Sequence, residues 1–238
     1  MTATVIPLVT SEVRFPPADP APPDPRWLPI VAHAVVHRDG VFLFDTGVGT
    51  GNAEIEAWFS PRVTFVDDAL AAAGLALGDV TGAANCHLHF DHAGQNGRLP
   101  PGVPIFTQRA EWRMVHEPDH TIAAWVDVPG LRYELLDGDA EVAPGLTLVA
   151  TPGHTSGHQS LVIETGGGPI VLAGQAVWTR DEWDGATGEE RSGAPSAADR
   201  DAYRASVERL WSLDPVRVHF AHDRSIWHRA PRASPGTP

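Results

Sequence analysis

Four side chains of metal-binding type crowd one six-residue stretch, His87-Leu-His-Phe-Asp-His92. His87, His89 and Asp91 alternate along the chain, so an extended backbone directs all three to one side. A turn after Asp91 would carry His92 to a second position. Imidazole nitrogens and carboxylate oxygens are ligands for Zn²⁺, and Fe and Mn are the alternatives. Because four ligands this close could not all reach one ion without strain, the spacing favours two adjacent ions over a surface cluster of polar residues.

Two further histidines stand directly after predicted strands. His154 follows a strand predicted at 145–150, within Thr151-Pro-Gly-His154, and His222 follows one predicted at 216–220. Because strands hold their ends rigidly, ligands on neighbouring strand ends can meet at one edge of a sheet. Three protein ligands per ion would leave an open position for water, as in catalytic zinc sites. The assigned ligands are His87, His89 and His154 for one ion, and Asp91, His92 and His222 for the other.

Further residues are predicted to support these ligands. Asp45 ends a predicted strand just before glycines, and it is expected either to orient a ligating histidine through a hydrogen bond or to cap a turn. His158 is expected to be a hydrogen-bonding scaffold residue rather than a ligand. An apolar substrate pocket is expected near the site, with ordinary packing as the alternative for each residue. The residues proposed for it are Trp178, Trp125 and Trp58.

Composition excludes several classes of function. A length of 238 residues fits a single domain, and a net charge of −13 argues against nucleic acid or an anionic membrane as partner. There is no apolar run long enough to span a membrane, and no signal peptide is expected. All 17 basic residues are arginine, which excludes a Schiff-base lysine and a Walker-type phosphate loop. The single cysteine, Cys86, excludes an internal disulfide and predicts a reducing, cytoplasmic location.

The predicted elements alternate in type along the chain. Residues 1–29 are expected to hold one strand and a Pro-rich extended arm, residues 30–230 the hydrolase domain, and residues 231–238 a disordered tail. The segment 117–130 is expected to form an irregular loop over the site, and 180–195 an exposed polar loop. This order predicts two packed sheets with helices outside. Strands are predicted at 30–37, 41–45, 80–86, 103–107, 133–136, 145–150, 159–164, 169–173 and 216–220, and helices at 67–76, 108–116 and 197–212.

Several motifs together resemble those of the metallo-β-lactamase superfamily. The motifs are His87-Leu-His-Phe-Asp-His92, Thr151-Pro-Gly-His154 and Phe220-Ala-His222-Asp223. Within the superfamily the chain looks similar to the N-acyl-homoserine lactonase branch, on the segments Phe44-Asp-Thr-Gly47, Gln108-Arg-Ala-Glu111 and Thr151-Pro-Gly-His-Thr-Ser-Gly-His-Gln-Ser-Leu161. The resemblance covers about residues 30 to 228. It implies an α+β fold, a four-layer αββα sandwich, two metal ions bridged by hydroxide, and hydrolysis of an ester-like bond in a small apolar lactone or ester.

The chain departs from the family pattern at two positions. Where the family carries a bridging Asp, this chain has Gln175, which the resemblance makes a candidate ligand and catalytic residue. Its neutral amide offers an oxygen to a metal ion, but it carries no charge and takes up no proton. We therefore expect weaker retention of one ion. Where such lactonases carry a Tyr that helps to polarise the substrate carbonyl, this chain has Trp178. Loss of one donor of this kind typically costs about 10²–10³ in turnover.

The expected chemistry is attack of metal-activated water on a carbonyl carbon. Asp91 is expected to be a ligand first and a proton carrier second, and water or Asp223 is expected to protonate the leaving group. Two alternatives stay open: a thioesterase or secondary-metabolite tailoring hydrolase of the same fold, and a catalytically weakened metal-binding protein. A serine hydrolase is disfavoured because no Gly-x-Ser-x-Gly motif occurs. The chain is expected to be a monomer or a homodimer.

Overall fold

Two β-sheets pack face to face in the computed structural model, which describes residues 3–14, 27–185 and 197–230. The strands of the first sheet are β1 Thr4–Arg14, β2 Trp27–His37, β3 Gly40–Phe44, β4 Arg62–Val63, β5 Val80–Ala84, β6 Pro104–Gln108 and β7 Arg132–Leu136. Their order is β4-β1-β2-β3-β5-β6-β7. β1, β2 and β3 pair antiparallel, whereas β3, β5, β6 and β7 pair parallel. Residues 15–26 of the predicted Pro-rich arm and the tail at 231–238 lie outside the described residues. Residues 27–29, predicted to belong to the arm, instead begin β2, where they pair with β1.

The second sheet is largely antiparallel. Its strands are β8 Ala140–Ala143, β9 Leu146–Ala150, β10 Gln159–Ile163, β11 Ile170–Leu172, β12 Arg217–His219 and β13 Ile226–His228. Their order is β13-β12-β11-β10-β9-β8, and β11 pairs parallel with β12. Because parallel neighbours end at the same edge of a sheet, the loops that leave β11 and β12 emerge side by side.

Helices connect the strands. They are α1 Ala53–Phe59, α2 Val66–Ala72, α3 Phe90–Ala93, α4 Arg109–Trp112, α5 Ala123–Val126, α6 Arg180–Gly185 and α7 Arg200–Ser212, with 3₁₀ turns at Leu77–Asp79 and Asn96–Arg98. Of these, α2 and α7 cover the outer faces of the first and second sheets. The longest, α7, begins at Asp199, whose carboxylate accepts the backbone N–H groups of Asp201 and Ala202. Among the described helices, none has the length and apolar character needed to cross a bilayer.

Strands that are apolar on both faces explain the layering. In β3, Phe42 and Phe44 face the second sheet and meet Leu161 and Leu172, while Leu43 faces outward to Leu70 of α2. On the far side, α7 packs its buried residues against the outward faces of β11 and β12. Each sheet therefore buries one face against the other sheet and one against helices. The predicted αββα sandwich is confirmed.

One segment differs from its prediction. Residues 180–195 were expected to be an exposed polar loop, but the described part, α6, carries the fully buried Trp183. The Trp183 ring stacks on Trp211 of α7, with ring centroids 4.7 Å apart and planes 10° apart. Polar residues surround Trp183 in the sequence, so its burial is not evident from the local pattern. The burial depends on Trp211, which lies 28 residues further along the chain. Residues 186–196 lie outside the described residues.

Two histidines without a ligand assignment meet between the sheets. His33 of β2 and His219 of β12 are both buried, and their rings contact edge to face with centroids 5.3 Å apart. Among the described residues, Nδ1 of His33 and both ring nitrogens of His219 have no hydrogen-bond partner. Burial therefore lowers the pKa of His33 well below its ordinary value and that of His219 to about 4. Both rings are neutral at neutral pH.

This pair should make the fold sensitive to acid. In the unfolded chain a histidine titrates near pH ~6.5, so below that pH the unfolded state binds more protons, and the free energy of unfolding falls as the pH falls towards about 4. Replacing His219 with leucine should reduce this pH dependence by about 1 kcal/mol per pH unit. Urea denaturation of chelator-treated protein from about pH 7 to about pH 5 measures the slope.

The matched control is His116→Leu, because the His116 side chain is 71% exposed. It should leave the slope unchanged. Equal slopes for wild type and His219→Leu would show that the buried pair is not a source of acid sensitivity.

Candidate metal centre

Five strands end at one edge of the sandwich, and each is followed by a polar residue directed to a common centre. In the first sheet, β3 leads into Asp45 and β5 into the stretch from His87 to His92. In the second sheet, β9 leads into the loop of His154, β11 into Gln175, and β12 into His222. Since the two sheets face each other, these loops meet across the top of the interface.

The first group of candidate ligands is His87, His89 and His154. One ligand atom from each lies within 4.8 Å of the other two. Nε2 of His154 is 3.2 Å from Nδ1 of His89, and the His87 ring lies edge-on to both neighbours, with centroid distances of 4.3 and 4.6 Å. Three imidazoles around one point are a suitable donor set for Zn²⁺.

The second group is Asp91, His92 and His222, again with ligand atoms within 4.8 Å of one another. Oδ2 of Asp91 lies 3.3 Å from Nε2 of His92 and 3.7 Å from Nε2 of His222. The two groups are adjacent, because the rings of His87 and His92 have centroids only 4.4 Å apart. The structure thus brings together all six side chains that the sequence assigned as ligands.

Unsatisfied polar atoms show that these groups suit cations. Nε2 of His87 and Nε2 of His92 are buried and have no hydrogen-bond partner among the described residues. Buried polar nitrogens normally have such a partner, because leaving one unsatisfied costs about 1–3 kcal/mol. Electron pairs of imidazole nitrogens that converge with a carboxylate are what a divalent metal ion requires. The residues present therefore fit a bound metal.

Burial keeps most of these rings neutral. It lowers the pKa of His87 well below its ordinary value, that of His89 to about 4, that of His154 to about 2 and that of His222 to about 4. His92 differs: burial alone would lower its pKa, but the carboxylates of Asp91 and Asp45 raise it well above the ordinary value. Neutral imidazoles are the form that binds metals.

Asp45 holds the second group in place. Its Oδ2 lies 3.0 Å from Nδ1 of His92, and its Oδ1 accepts the backbone N–H of Cys86 at 2.8 Å. Asp45 thus binds the proton on Nδ1 of His92, so Nε2 is the nitrogen that faces the centre and that must give up its proton to bind a metal ion. Asp45 has a left-handed backbone, with φ of 66°. Few residue types tolerate this conformation, although Asp and Asn do so more readily than most.

Cys86 lies behind the ligands. Its Sγ is 3.1 Å from Nδ1 of His87 and 3.3 Å from Nδ1 of His92, so these three residues form a third cluster of metal-binding type. Burial raises the pKa of the Cys86 thiol to about 12. The thiolate, not the thiol, binds metals. Cys86 therefore supports the rings from the side opposite the centre.

His158 is placed as a scaffold residue. Its Nδ1 lies 3.0 Å from the carbonyl oxygen of Thr151, and its Nε2 accepts the backbone N–H of Gln175 at 2.9 Å. The preceding Gly174 has φ of 59°, and a Cβ there would collide with Cys86. His158 thereby fixes the turn that brings Gln175 to the centre.

Trp178 covers both ligand groups. Its ring centroid lies 4.9 Å from that of His222 and 6.1 Å from that of His154. Neither tyrosine hydroxyl is directed to the centre: that of Tyr203 donates to Glu182, and that of Tyr133 donates to the carbonyl of Val126. The hydroxyl expected from the family pattern thus has an apolar indole in its place.

Asp223 is engaged by the backbone. One carboxylate oxygen accepts the N–H of Ser225 at 2.8 Å, and the other accepts that of Arg180 at 3.0 Å. Burial would raise the pKa of Asp223, but these N–H donors hold it below its ordinary value. The geometry therefore favours capping of the turn after His222 over delivery of a proton.

The other two pocket tryptophans lie away from the ligands. Trp58 is 61% exposed, at the rim of a cavity of about 260 Å³. Trp125 packs against Gly49 and lines a separate cavity of about 180 Å³. Phe90, beside Asp91 in sequence, also lines the larger cavity and thus connects it to the ligand stretch. The larger cavity is lined by Glu54, Ile55, Trp58, Phe59, Phe90, Asp119, His120, Thr121 and Ile122.

Glu111 has a role that the sequence did not reveal. Its fully buried carboxylate accepts the backbone N–H of Leu88 at 3.0 Å and the hydroxyl of Thr155 at 2.6 Å, and it lies 2.9 Å from Nε2 of His120. It thus joins the two ligand loops to the segment predicted to lie over the site. The His120 ring in turn contacts that of His89, with centroids 5.0 Å apart. The motif around Glu111 is visible in the sequence, but these partners are not.

Comparisons with known proteins agree with this geometry. The sequence model of the metallo-beta-lactamase superfamily matches residues 25–222. An N-acyl homoserine lactonase of a Bacillus species is 33% identical over 214 residues, which cover 82% of each chain, and that of Bacillus cereus is 34% identical with the same coverage. The crystal structure of a B. thuringiensis AiiA variant, with N-decanoyl-L-homoserine bound at its active site, has a TM-score of 0.73 and 26% identity and covers 93% of each chain.

Asp45 offers a test of how the ligands are oriented. Asparagine has the same shape and tolerates the left-handed backbone, but its uncharged side chain binds the His92 N–H more weakly. Asp45→Asn should therefore weaken zinc binding by about 10- to 100-fold. Competition against a chromophoric chelator measures the affinity. The control is Asp67→Asn, which removes a surface ion pair with Arg98 and should leave the affinity unchanged. Equal affinities in both variants would contradict the orienting role.

Glu111 offers a test of how the loops are joined. In Glu111→Gln, an NH₂ group replaces one of two accepting oxygens, so at least one of the three donors loses its partner. The variant should lose about 1–3 kcal/mol of stability. Urea unfolding of the metal-free protein measures the loss, and Glu134→Gln, at a more exposed site, serves as the control. A stability equal to that of wild type would show that the three contacts are dispensable.

Proposed function

The chain belongs to the metallo-β-lactamase superfamily, and from this premise we propose that it is a metal-dependent hydrolase that opens a lactone or a related ester. The observation that carries the proposal is the pair of adjacent ligand groups at one edge of the sandwich. Its relatives of about one-third sequence identity are named N-acyl homoserine lactonases. We therefore propose N-acyl homoserine lactones as the first substrates to test.

We propose zinc as the resident metal, with Fe and Mn as alternatives. His87, His89 and His154 would hold one ion, and Asp91, His92 and His222 the other. When bound, such ions supply Lewis acidity: they lower the pKa of water and polarise a carbonyl group.

Contacts outside the centre fix the protonation of the ligating rings. Nδ1 of His222 lies 3.3 Å from the carbonyl oxygen of Pro29, which can only accept, so the proton is on Nδ1 and Nε2 is the nitrogen that faces the centre. The Asp45 carboxylate likewise binds the N–H at Nδ1 of His92. In both rings Nε2 is therefore the nitrogen left for a metal ion, and in His92 the ion must first displace a proton.

Asp91 provides the negative charge in this arrangement. It is the single carboxylate of the six ligands, and burial would raise its pKa, but His92 holds that pKa well below the ordinary value. A carboxylate that is so weakly basic acts as a ligand first and takes up a proton only secondarily. The indole of Trp178 covers the same space and limits the access of bulk water.

The cavity beside Phe90 suits an apolar substituent of the substrate. Its aromatic and aliphatic lining begins one residue before Asp91 and continues outward to Trp58. We propose that an acyl chain lies along this surface while its ester group is held at the ligands. We also propose a cytoplasmic location, on the evidence of the single reduced cysteine.

The proposal is tested by assaying zinc-loaded protein against N-hexanoyl- and N-decanoyl-homoserine lactone, with an acyl thioester in parallel. Ring opening releases a proton, which a pH-indicator assay detects. We expect lactone turnover that a chelator abolishes and zinc restores. Removing a ligand in His89→Asn should lower turnover more than about 100-fold, because even orienting partners of ligands contribute about 10–100-fold.

The control for the ligand variant is His116→Gln, since His116 is exposed and outside both groups. Its turnover should equal that of wild type. Turnover of the thioester without turnover of either lactone would overturn the substrate assignment, and turnover that survives complete metal removal would overturn the reaction class.

A further inference from the structure

Gln175 stands against a ligand of the second group. It follows β11, and its side chain is almost fully buried. Its backbone N–H donates to Nε2 of His158 at 2.9 Å, which fixes the position of the residue. Its side-chain Nε2 lies 2.6 Å from Nε2 of His222. The amide is therefore in direct contact with the atom that His222 would offer to a metal ion.

The direction of this hydrogen bond follows from the other side of the ring. Because Nδ1 of His222 carries the proton that faces the Pro29 carbonyl, Nε2 of the neutral ring can only accept. The Gln175 amide must then be the donor. One electron pair is available on Nε2, and the amide N–H occupies it.

The amide oxygen of Gln175 does not compensate for this contact. Oε1 is buried and has no hydrogen-bond partner among the described residues. It is neutral, so it adds no charge to a group in which Asp91 alone is a carboxylate. The first group also contains a hydrogen bond, between Nε2 of His154 and Nδ1 of His89 at 3.2 Å, but both of its atoms belong to ligands of the same ion. The Gln175 amide nitrogen cannot coordinate in this way, so its contact is lost without replacement when an ion binds.

We propose that the two ion sites are unequal, and that Gln175 acts as an internal competitor for the second. His87, His89 and His154 form the tight site. An ion enters the site of Asp91, His92 and His222 only when the amide releases Nε2 of His222. This inference rests on the ligand assignment of the proposed function. It makes the second ion exchangeable, so that its occupancy follows the free metal concentration.

The competing explanation is that Gln175 is itself a ligand through Oε1, after rotation of the amide. The two explanations predict opposite effects of a leucine at this position. Leucine is of similar size but neither donates nor coordinates. If the amide competes, Gln175→Leu tightens binding of the second ion; if the amide oxygen coordinates, the same change weakens it.

The experiment is a titration of the metal-free full chain with Zn²⁺ against a chromophoric chelator. Bound zinc is counted by mass spectrometry after dialysis at fixed free zinc. Wild type should bind in two steps with dissociation constants at least about tenfold apart. Gln175→Leu should tighten the second step by about three- to tenfold, as expected for one hydrogen bond that no longer has to be broken. Gln175→Asp should tighten it further, because it adds a carboxylate.

Ligand variants assign the steps. His154→Ala should remove the tight step, and His222→Ala should remove the weak one. Thermal unfolding of each metal-free variant verifies the fold, and Gln175→Met replaces the leucine variant if that one fails to fold. Two equal steps in wild type, or a weaker second step in Gln175→Leu, would overturn the proposal.

The titration measures zinc binding and not hydrolysis, so its result does not depend on whether the protein opens lactones. Hydrolysis at saturating zinc tests the proposed function whatever the affinity of the second ion. Unequal binding of the two ions without lactone turnover would support the proposal on Gln175 and refute the substrate assignment. Equal binding of the two ions with lactone turnover would refute the proposal on Gln175 and support the substrate assignment.

Discussion

The burial of polar ligands in a space between two sheets is the constraint on which this molecule depends. Five imidazoles and one carboxylate converge there, and all of them except the partly exposed His89 are buried. Burial lowers the pKa of four of the rings and so keeps them neutral. Neutral rings can be packed together without mutual repulsion, and their unsatisfied nitrogens then favour a cation. Buried nitrogens without hydrogen-bond partners destabilise the metal-free fold, and the same nitrogens favour the binding of a metal ion. Stability without metal and affinity for metal therefore oppose each other.

The surrounding structure meets this constraint at the ends of strands. Asp45 and Gly174 adopt left-handed backbones at the points where β3 and β11 end, and these turns carry polar groups into the centre. Gly153 does the same before His154, and a Cβ there would collide with Tyr203 of α7. The outer helix layer thus presses directly on a ligand loop. Packing energy from the apolar layers holds the strained turns that the centre requires.

Residues next to the ligands set the position of the ligand loops and the chemical surroundings of the centre. Glu111 joins both ligand loops to His120 and hence to the apolar cavity, so that the cavity and the ligand positions are physically connected. Gln175 and Trp178 occupy the remaining space with a neutral amide and an indole. Compared with a carboxylate and a hydroxyl, these groups remove a negative charge and the acceptor oxygen of the hydroxyl from the centre.

The sequence by itself determined the packed sheets and the group of candidate ligands, because both follow from the order of elements along the chain and from histidines and aspartate placed directly after strand ends. The motifs shared with the superfamily specified the αββα sandwich. The role of Glu111 could not be predicted, since its partners Leu88 and Thr155 are 23 and 44 residues away. The His33–His219 pair and the burial of Trp183 likewise exist only because distant elements pack together. Only the tertiary structure decided that the Gln175 amide faces His222, because a hydrogen bond between side chains 47 residues apart depends on how two strands end side by side.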